Sequence, residues 1–484
     1  MITPEAFRSS LVKITRWTPQ TIPSRVLVAL SGGVDSICLT YLLSQYSRLY
    51  CNNAIAINAI TIDHGYRSGS NEEAKAVGKL VEKWGVQHIV KKLEYEKLPT
   101  EYSNFEEIAR MKRYEKFEET CHQLDASHLF VAHNLNDQLE TFIQRLQGNS
   151  SIYGLAGLKA QTSLPVQSQL PSAEKGRISV IRPLLQFEKS EIIDTCKQQN
   201  ISWFEDSTNM DINLTKRNYL RHLINVAIPE KLAANDKYIS ISKAKLIESH
   251  EEITEMVESL EEKVDSLDQM AKTNGLLAVD PRNGSLSLKL SNDILTEDNI
   301  VIVGKYLYQL LYPFSSIRHY HWAYAKLERQ LVPRIVQFAH STGDSKLTYL
   351  NLTIILKNEN GITTLDISRQ PILRGALKEI AYEVDLTAEW SKWTLFDRRF
   401  WLRFKTSLFN GCKVTVAPYN HKEHKSKLHP DLEQQKALRF SKDMNNVPVV
   451  FHNDQIIAFP TYSMCFSQPM LEWEWHQKDN VYRL

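Results

Sequence analysis

The chain has 484 residues, 43% of them hydrophobic, enough for two or three cores at roughly 100–200 residues per domain. Its 58 Lys and Arg nearly balance 56 Asp and Glu, so contact with nucleic acid must rest on local basic patches and not on a global excess. Six cysteines (Cys38, Cys51, Cys121, Cys196, Cys412, Cys465) lie far apart without a CxxC pair; this argues against a zinc ribbon, an iron–sulfur site or a disulfide scaffold and fits a reducing compartment.

No apolar run reaches the ~18–20 residues of a membrane span, so no membrane partner is expected. The first stretch, MITPEAFRSSLVKITRW, carries Arg8, Lys13 and Arg16 against Glu5, with Phe7, Leu11 and Ile14 at helical spacing. Two readings stay open for this extension, residues 1–24: a short organelle-targeting presequence, or an ordinary amphipathic first helix.

From residue 26 to about 150, short β-rich runs alternate with helical patterns. RVLVAL leads into a helix over 35–46, and AIAINAITI (54–62) leads through DHGYRSGS into NEEAKAVGKLVEKWG. QHIVKKL (87–93) precedes a helix over 105–123, and SHLFVAH (127–133) runs into NDQLETFIQRLQ. Near-continuous apolar strands in this alternation predict an α/β domain with a Rossmann-like parallel sheet covered on both faces. Right-handed crossovers bring the strands' C-terminal ends to one rim. There SGGVDS, DHGYR and HNLNDQ should converge.

Residues 159–177, rich in Ser, Gln and Pro, read as a mobile loop before IRPLL and EKSEIIDTCKQQN restore order. The first domain is thus expected over 25–229. In the next segment, 230–275, Leu246, Ile253, Val257, Leu260, Val264 and Leu267 recur mostly three or four apart among acidic residues, the pattern of one long amphipathic packing helix or spacer. Residues 276–484 mix strand-like and helical runs in an α+β region.

The most specific stretch is Ser31-Gly32-Gly33-Val34-Asp35-Ser36. Consecutive glycines let the backbone turn tightly and approach a ligand. The following helix offers unpaired N–H groups and a positive dipole end, an anion site. Ser31 and Ser36 add hydroxyl donors. Asp35 fits beside phosphate only through a bridging cation, and a carboxylate with phosphate oxygens suits Mg²⁺. No Walker A pattern occurs, which excludes a P-loop NTPase.

SGGVDS after a strand resembles the signature of the PP-loop family of N-type ATP pyrophosphatases. Further motifs narrow the resemblance: TIDHGYR (61–67), ARMKRYEKF (109–117), AHNLNDQLETFIQRL (132–146) and WFEDSTNMDINLTKRNYLR (203–221). In that order and spacing they are similar to the tRNA(Ile)-lysidine synthases over residues 25–229, and only thinly beyond, where TLFDRRFWLRF (394–404) resembles a segment of longer relatives. The cysteines argue against two groups of cousins. Enzymes that thiolate tRNA generally need a reactive cysteine pair or a cluster, and glutamine-dependent ones need a glutaminase domain, for which about 25 residues before the PP-loop strand are too few.

The resemblance implies ATP at Ser31, Gly32, Gly33, Val34 and Ser36, with Ile62 and His64 on the adenine side and Arg113 near the phosphates, and Mg²⁺ at Asp35. It implies catalytic roles for Asp35, His133, Asp137 and Glu140. Asp137, Glu140 and Gln144 share one helix face that suits an incoming ammonium or a metal, and the resemblance assigns that face to free L-lysine. Arg110, Arg217, Asn218 and Arg221 are candidates for contact with tRNA or the adenylate, arginine being suited to phosphate; surface helix charges remain the bland reading. The sequence departs from the family pattern at Asn134, where relatives carry His, and at Asn136, where they carry Asp; Asn136 reads as a helix cap.

The implied reaction is adenylation of carbon 2 of the wobble cytidine of a CAU-anticodon tRNA(Ile), then displacement of AMP by lysine to give lysidine. The alternatives are another adenylating PP-loop tRNA modifier or an inactive tRNA-binding relative. The C-terminal region is a tRNA-binding candidate: FDRRFWLRFK reads as a strand with an aromatic inner face and a basic outer one, equally suited to RNA or to plain exposure, and NHKEHKSKLHP (420–430) as a basic loop. A mitochondrial location is expected from the basic N-terminus and drifted motif, with a bacterial cytoplasm as the alternative. Oligomeric state is not legible, with a homodimer held open.

Overall fold

The computed structural model describes residues 1–64, 70–95, 101, 104–165, 171–204, 215–234, 241–320, 323–408, 411–424, 427, 444–465 and 471–480. The chain divides into two compact units, one of Met1–Ser168 and Lys175–Glu258, the other of Ser259–Arg483 with the short segment Gln169–Glu174.

The first unit is built on a six-stranded sheet in the order β3-β2-β1-β4-β6-β5. Strands β1 (Arg25–Ala29), β2 (Ala56–Asp63), β3 (Gln87–Lys92), β4 (His128–Phe130) and β6 (Ser179–Ile181) run parallel, and β5 (Gln161–Ser163) pairs antiparallel with β6 at the edge. Its main helices are α1 (Pro4–Thr15), α2 (Val34–Tyr50), α3 (Ser70–Glu82), α4 (Phe105–Leu124), α5 (Leu135–Gln147), α6 (Lys189–Gln198) and α7 (Lys216–His222). Side chains alternate across a strand, and here both faces are buried. Val26 and Val28 enter one core with α1, α2 and α6, while Leu27 enters another with Tyr114 and Phe117 of α4. That is why these strands read as unbroken apolar runs. The expected parallel α/β domain is present.

Two details differ from the sequence reading. The Ser/Gln/Pro-rich stretch 159–177 is not all loop, since it contributes β5; residues 166–170 lie outside the described residues. Helix α1 is a core element, with Phe7 and Leu11 fully buried in the cluster that holds α2. Thr3 caps it by accepting from the Ala6 amide, Pro4 starts it, and Ile2 N donates to Thr195 Oγ1 at 2.8 Å.

The long helix expected in 246–267 is α8 (Lys243–Thr273). Its N-terminal part belongs to the first unit, where His250 Nε2 lies 3.1 Å from the Ala156 carbonyl; Val264, Leu267 and Ala271 enter the core of the second.

The second unit is α+β, as expected. Strands β7 (Leu277–Asp280), β8 (Ser285–Ser291), β9 (Asp344–Tyr349), β10 (Leu352–Glu359) and β11 (Ile362–Arg369) form an antiparallel sheet in the order β7-β8-β11-β10-β9. Helices α9 (Ile300–Leu311) and α10 (Val332–Ala339) share its core. Strands β12 (Tyr382–Leu386), β13 (Thr394–Phe396), β14 (Phe400–Lys405), β15 (Cys412–Pro418), β16 (Pro448–His452), β17 (Gln455–Phe459), β18 (Met464–Cys465) and β19 (Glu472–Gln477) make a five-stranded and a three-stranded sheet around a further core. Among the described residues no helix is long and apolar enough to cross a membrane.

The segment FDRRFWLRFK forms the β13–β14 turn and β14, with Asp397 and Arg398 at positive φ in the turn. Phe400, Leu402 and Phe404 face the core as expected. The charges do not form the expected basic outer face. Arg399 is 1% exposed and bonded to Asp397, Arg403 pairs with Glu474 and lies over the Trp390 and Trp393 rings, and Lys405 pairs with Glu472 at 2.9 Å. Cross-strand carboxylates on β19 neutralise β14, which the sequence of β14 alone does not reveal. Much of NHKEHKSKLHP falls outside the described residues.

Candidate active site

Strand β1 ends in the loop that turns into α2. Gly32 has φ +87°, and a Cβ there would sit 3.0 Å from Val77 Cγ2, so both its conformation and its surroundings require glycine. Gly33 is extended (φ −74°) and caps α2 without a side chain, which keeps the front of the helix N-terminus clear. The serines organise the loop. Ser36 Oγ donates to the Gly33 carbonyl at 3.0 Å and accepts from Ser31 N at 3.1 Å, and the two hydroxyls are 3.1 Å apart. The result is a helix N-terminus behind a rigid turn, a place where an anion is stabilised by amide donors and the helix dipole.

Asp35, in the first turn of α2, is tied to the next strand–helix junction. Asn134 Nδ2 donates to Asp35 Oδ1 at 3.0 Å. Asn134 is 3% exposed and is the N-cap of α5: its Oδ1 accepts from Asn136 N and Asp137 N, while Asp137 Oδ2 accepts from Asn134 N at 3.0 Å, closing a capping box. The cap is therefore Asn134 and not Asn136. Asn136 instead bridges elements, donating to Asn225 Oδ1 at 2.8 Å and accepting from Lys189 N at 3.2 Å.

At the same junction, Asp137 and Glu140 meet α7. Arg217 bonds to Asp137 Oδ1 and donates Nε to Glu140 Oε2 at 2.6 Å; Arg221 Nε donates to Glu140 Oε1 at 2.8 Å. Glu140 is 1% exposed, a charge held in the interior only because two guanidinium groups share it. Thr215 fixes the start of α7, accepting from Asn218 N at 3.1 Å, and Asn218 is buried. Thus Asp35, Asp137, Glu140, Arg217 and Arg221, dispersed over 187 positions of sequence (35 to 221), form one connected cluster.

A family model described as the PP-loop domain matches residues 7–228. The first unit carries a PP-loop domain. Its match takes in α1, in keeping with the burial of Phe7 and Leu11. Among similar proteins, a probable tRNA(Ile)-lysidine synthase of Schizosaccharomyces pombe is 27% identical over 96% of this chain and 96% of its own. The tRNA(Ile)-lysidine synthase of Thermosipho africanus is 34% identical over 41% of this chain and 43% of its own, and that of Rickettsia conorii 25% identical over 74% and 69%.

Of the remaining expected residues, His133, Ile62 and His64 lie at strand ends and Arg110 and Arg113 on α4. His133 follows β4 and accepts at Nδ1 from Arg182 Nε at 3.2 Å. That bond leaves the ring proton on Nε2. Burial, reinforced by the Arg182 charge, pushes its pKa down to about 4, so the ring is neutral near pH 7. With its lone pair engaged, His133 positions neighbours and is poorly placed to accept a proton. Ile62 and His64 close β2, where His64 Nδ1 lies 3.0 Å from Tyr95 OH. On α4, Arg110 is exposed and Arg113 half-buried, their guanidinium carbons 5.0 and 5.8 Å from the Tyr114 ring centroid. Burial, with the like charge of Arg110, lowers the pKa of Arg113.

Two residues escaped the sequence reading. Arg182, 5% exposed, also donates to the Lys159 carbonyl at 2.8 Å and so ties His133 to the sheet edge. Lys189, the first residue of α6, pairs with Asp35. The available signal was position: both follow β6, at the rim where the other strands deliver their polar residues. Cys38 and Cys196 are fully buried side by side, and the hydrogen bond with Cys196, together with burial, pushes the Cys38 thiol up.

Proposed function

We propose that this enzyme, of the tRNA(Ile)-lysidine synthase type, uses ATP to join free L-lysine to carbon 2 of the wobble cytidine of a CAU-anticodon tRNA(Ile), through an adenylated tRNA intermediate. The observation that carries the reading is the link from PP-loop to carboxylates: Asp35 at the anion-binding start of α2, one asparagine away from Asp137 and Glu140. The α2 N-terminus and the Ser31–Ser36 turn hold the phosphates. Asp35 offers the hard oxygen donor that Mg²⁺ takes beside phosphate, and the ion supplies charge neutralisation to the departing pyrophosphate when bound. The base leaves its stack to expose the reacting carbon. Arg113 and Arg110 face the phosphates of ATP or tRNA.

Lysine binds through its ammonium at Asp137 and Glu140, in competition with Arg217 and Arg221. Its attacking amine must lose a proton, and with the His133 Nδ1 lone pair engaged by Arg182, a neighbouring phosphate oxygen is left to take it. A mitochondrial setting rests on Arg8, Lys13 and Arg16; because Phe7 and Leu11 of the same helix are core residues, the helix is proposed to remain on the mature chain.

The test is pyrophosphate release from ATP with CAU-anticodon tRNA, with and without labelled lysine. Release that requires tRNA, with label entering the tRNA, is expected. Intact tRNA binding without release would replace this reading by the binding-protein one, which the departures Asn134 and Asn136 favour.

A further inference from the structure

Asp35 is held from two sides by groups of opposite character. On Oδ1 sits the Asn134 amide, buried and fixed by its capping box. On Oδ2 sits the Lys189 ammonium, whose side chain is 38% exposed. The Lys189 backbone is anchored, as the first residue of α6 and through its N–H to Asn136 Oδ1 at 3.2 Å. Its ammonium is carried on a four-carbon stem that is partly open to solvent. One carboxylate oxygen thus has a permanent neutral donor, and the other a tethered cation that can be exchanged.

A carboxylate facing a helix N-terminus and awaiting a divalent cation needs its charge covered until that cation arrives. Once it arrives, a second positive charge on the same oxygen is repelled, and phosphates held at the α2 N-terminus would offer the ammonium a new partner. We propose that Lys189 is a positioning residue of the nucleotide site: its ammonium covers Asp35 when the site is empty, and moves to the ATP phosphates when a divalent cation takes Asp35 Oδ2. This rests on the ATP and Mg²⁺ reading above. It predicts opposite effects of Lys189 on two ligands, antagonism toward the metal ion alone and support for phosphate alone, which a merely structural ion pair does not produce.

The experiment uses the full chain, with Mn²⁺ titrated by electron paramagnetic resonance and inorganic pyrophosphate titrated in EDTA by calorimetry. For Lys189→Met, Mn²⁺ should bind roughly three- to tenfold more tightly and metal-free pyrophosphate roughly three- to tenfold more weakly, with Lys189→Arg close to wild type in both. Unchanged affinities, or shifts of both ligands in one direction, would overturn the exchange. Failure of the wild type to bind pyrophosphate or ATP would instead sink the nucleotide-site reading, and this inference with it. Acetylation of Lys189 in the wild-type chain, followed by mass spectrometry, gives a measure independent of the variants. Mn²⁺ alone should speed it and added pyrophosphate should slow it; a rate indifferent to both would also count against the exchange.

Discussion

Two clusters in this molecule combine arginines or lysines with carboxylates, and they behave in opposite ways. In the first unit, Asp35 and Lys189 are 27% and 38% exposed at the side chain, and Arg217 is 44% exposed over Asp137 and Glu140. In the second unit, Asp397 is 3% exposed between Arg369 and Arg399, which are 10% and 1% exposed. Arg399 is further bonded to the Asn446 carbonyl at 2.7 Å, and Arg369 to the Gln370 carbonyl at 3.0 Å. The buried cluster has spent its hydrogen-bonding capacity on the fold. The open one has cations on long, solvated stems that a ligand can displace. Charge pattern alone does not separate a site from a structural knot, nor does burial of the carboxylate, since Glu140 is as buried as Asp397; solvent access of the cations does.

The sharpest way to break this comparison is to remove one carboxylate from each cluster. Asp35→Asn should lower tRNA-dependent pyrophosphate release on the order of a hundred- to a thousandfold with an unchanged melting temperature. Normal turnover would end the Mg²⁺ role. Asp397→Ala should do the reverse, costing about 3–5 kcal/mol in urea unfolding of the second unit because two arginine charges are left unpaired, while pyrophosphate binding stays at the wild-type level.

Phe7→Ala should cost about 3–5 kcal/mol, seen as a lower melting temperature, because it opens a cavity in the PP-loop core. A dispensable leader would leave the melt unmoved.

Lys478 extends the contrast to pH. Burial, with the nearby Arg399 charge, brings its pKa down to about 7, while its Nζ donates to the Ser315 carbonyl at 2.7 Å and lies 4.1 Å from the Tyr312 ring centroid. The unfolded chain holds this proton up to about 10.4, so between about 7 and 10 the unfolded state binds more protons and stability rises with pH, by up to about 1.4 kcal/mol per unit. Below that window both states are protonated and the term is constant. Lys478→Met should flatten the rise, as read from urea midpoints at pH 7 and 9.

The smallest effect is expected at the cap of α7. Thr215→Ala should cost about 1 kcal/mol of local stability and show as a higher KM for lysine with little change in kcat, since it loosens the helix carrying Arg217.

The sequence alone determined the parallel α/β domain, because strands buried on both faces must be continuously apolar and the crossover rule then fixes where their polar ends meet. It determined the PP-loop, since a turn followed by a helix is a local structure and SGGVDS contains all of it. It also determined the amphipathic period of α8. Only the tertiary structure decided which charges are sites. Lys189 lies 154 residues from Asp35, and nothing in EKSEIIDT marks its first lysine as the partner of a carboxylate in another motif. The cap at Asn134, two residues before the position the sequence suggested, depended on the backbone turn after β4 and on the reach of its amide to Asp35. Arg399, which alternation placed on a basic surface, is buried because a turn with two residues at positive φ carries it inward to Asp397. Local pattern specifies elements, but the pairing of long charged side chains depends on which elements the fold brings within a few ångströms, and that is set by the packing of the whole unit.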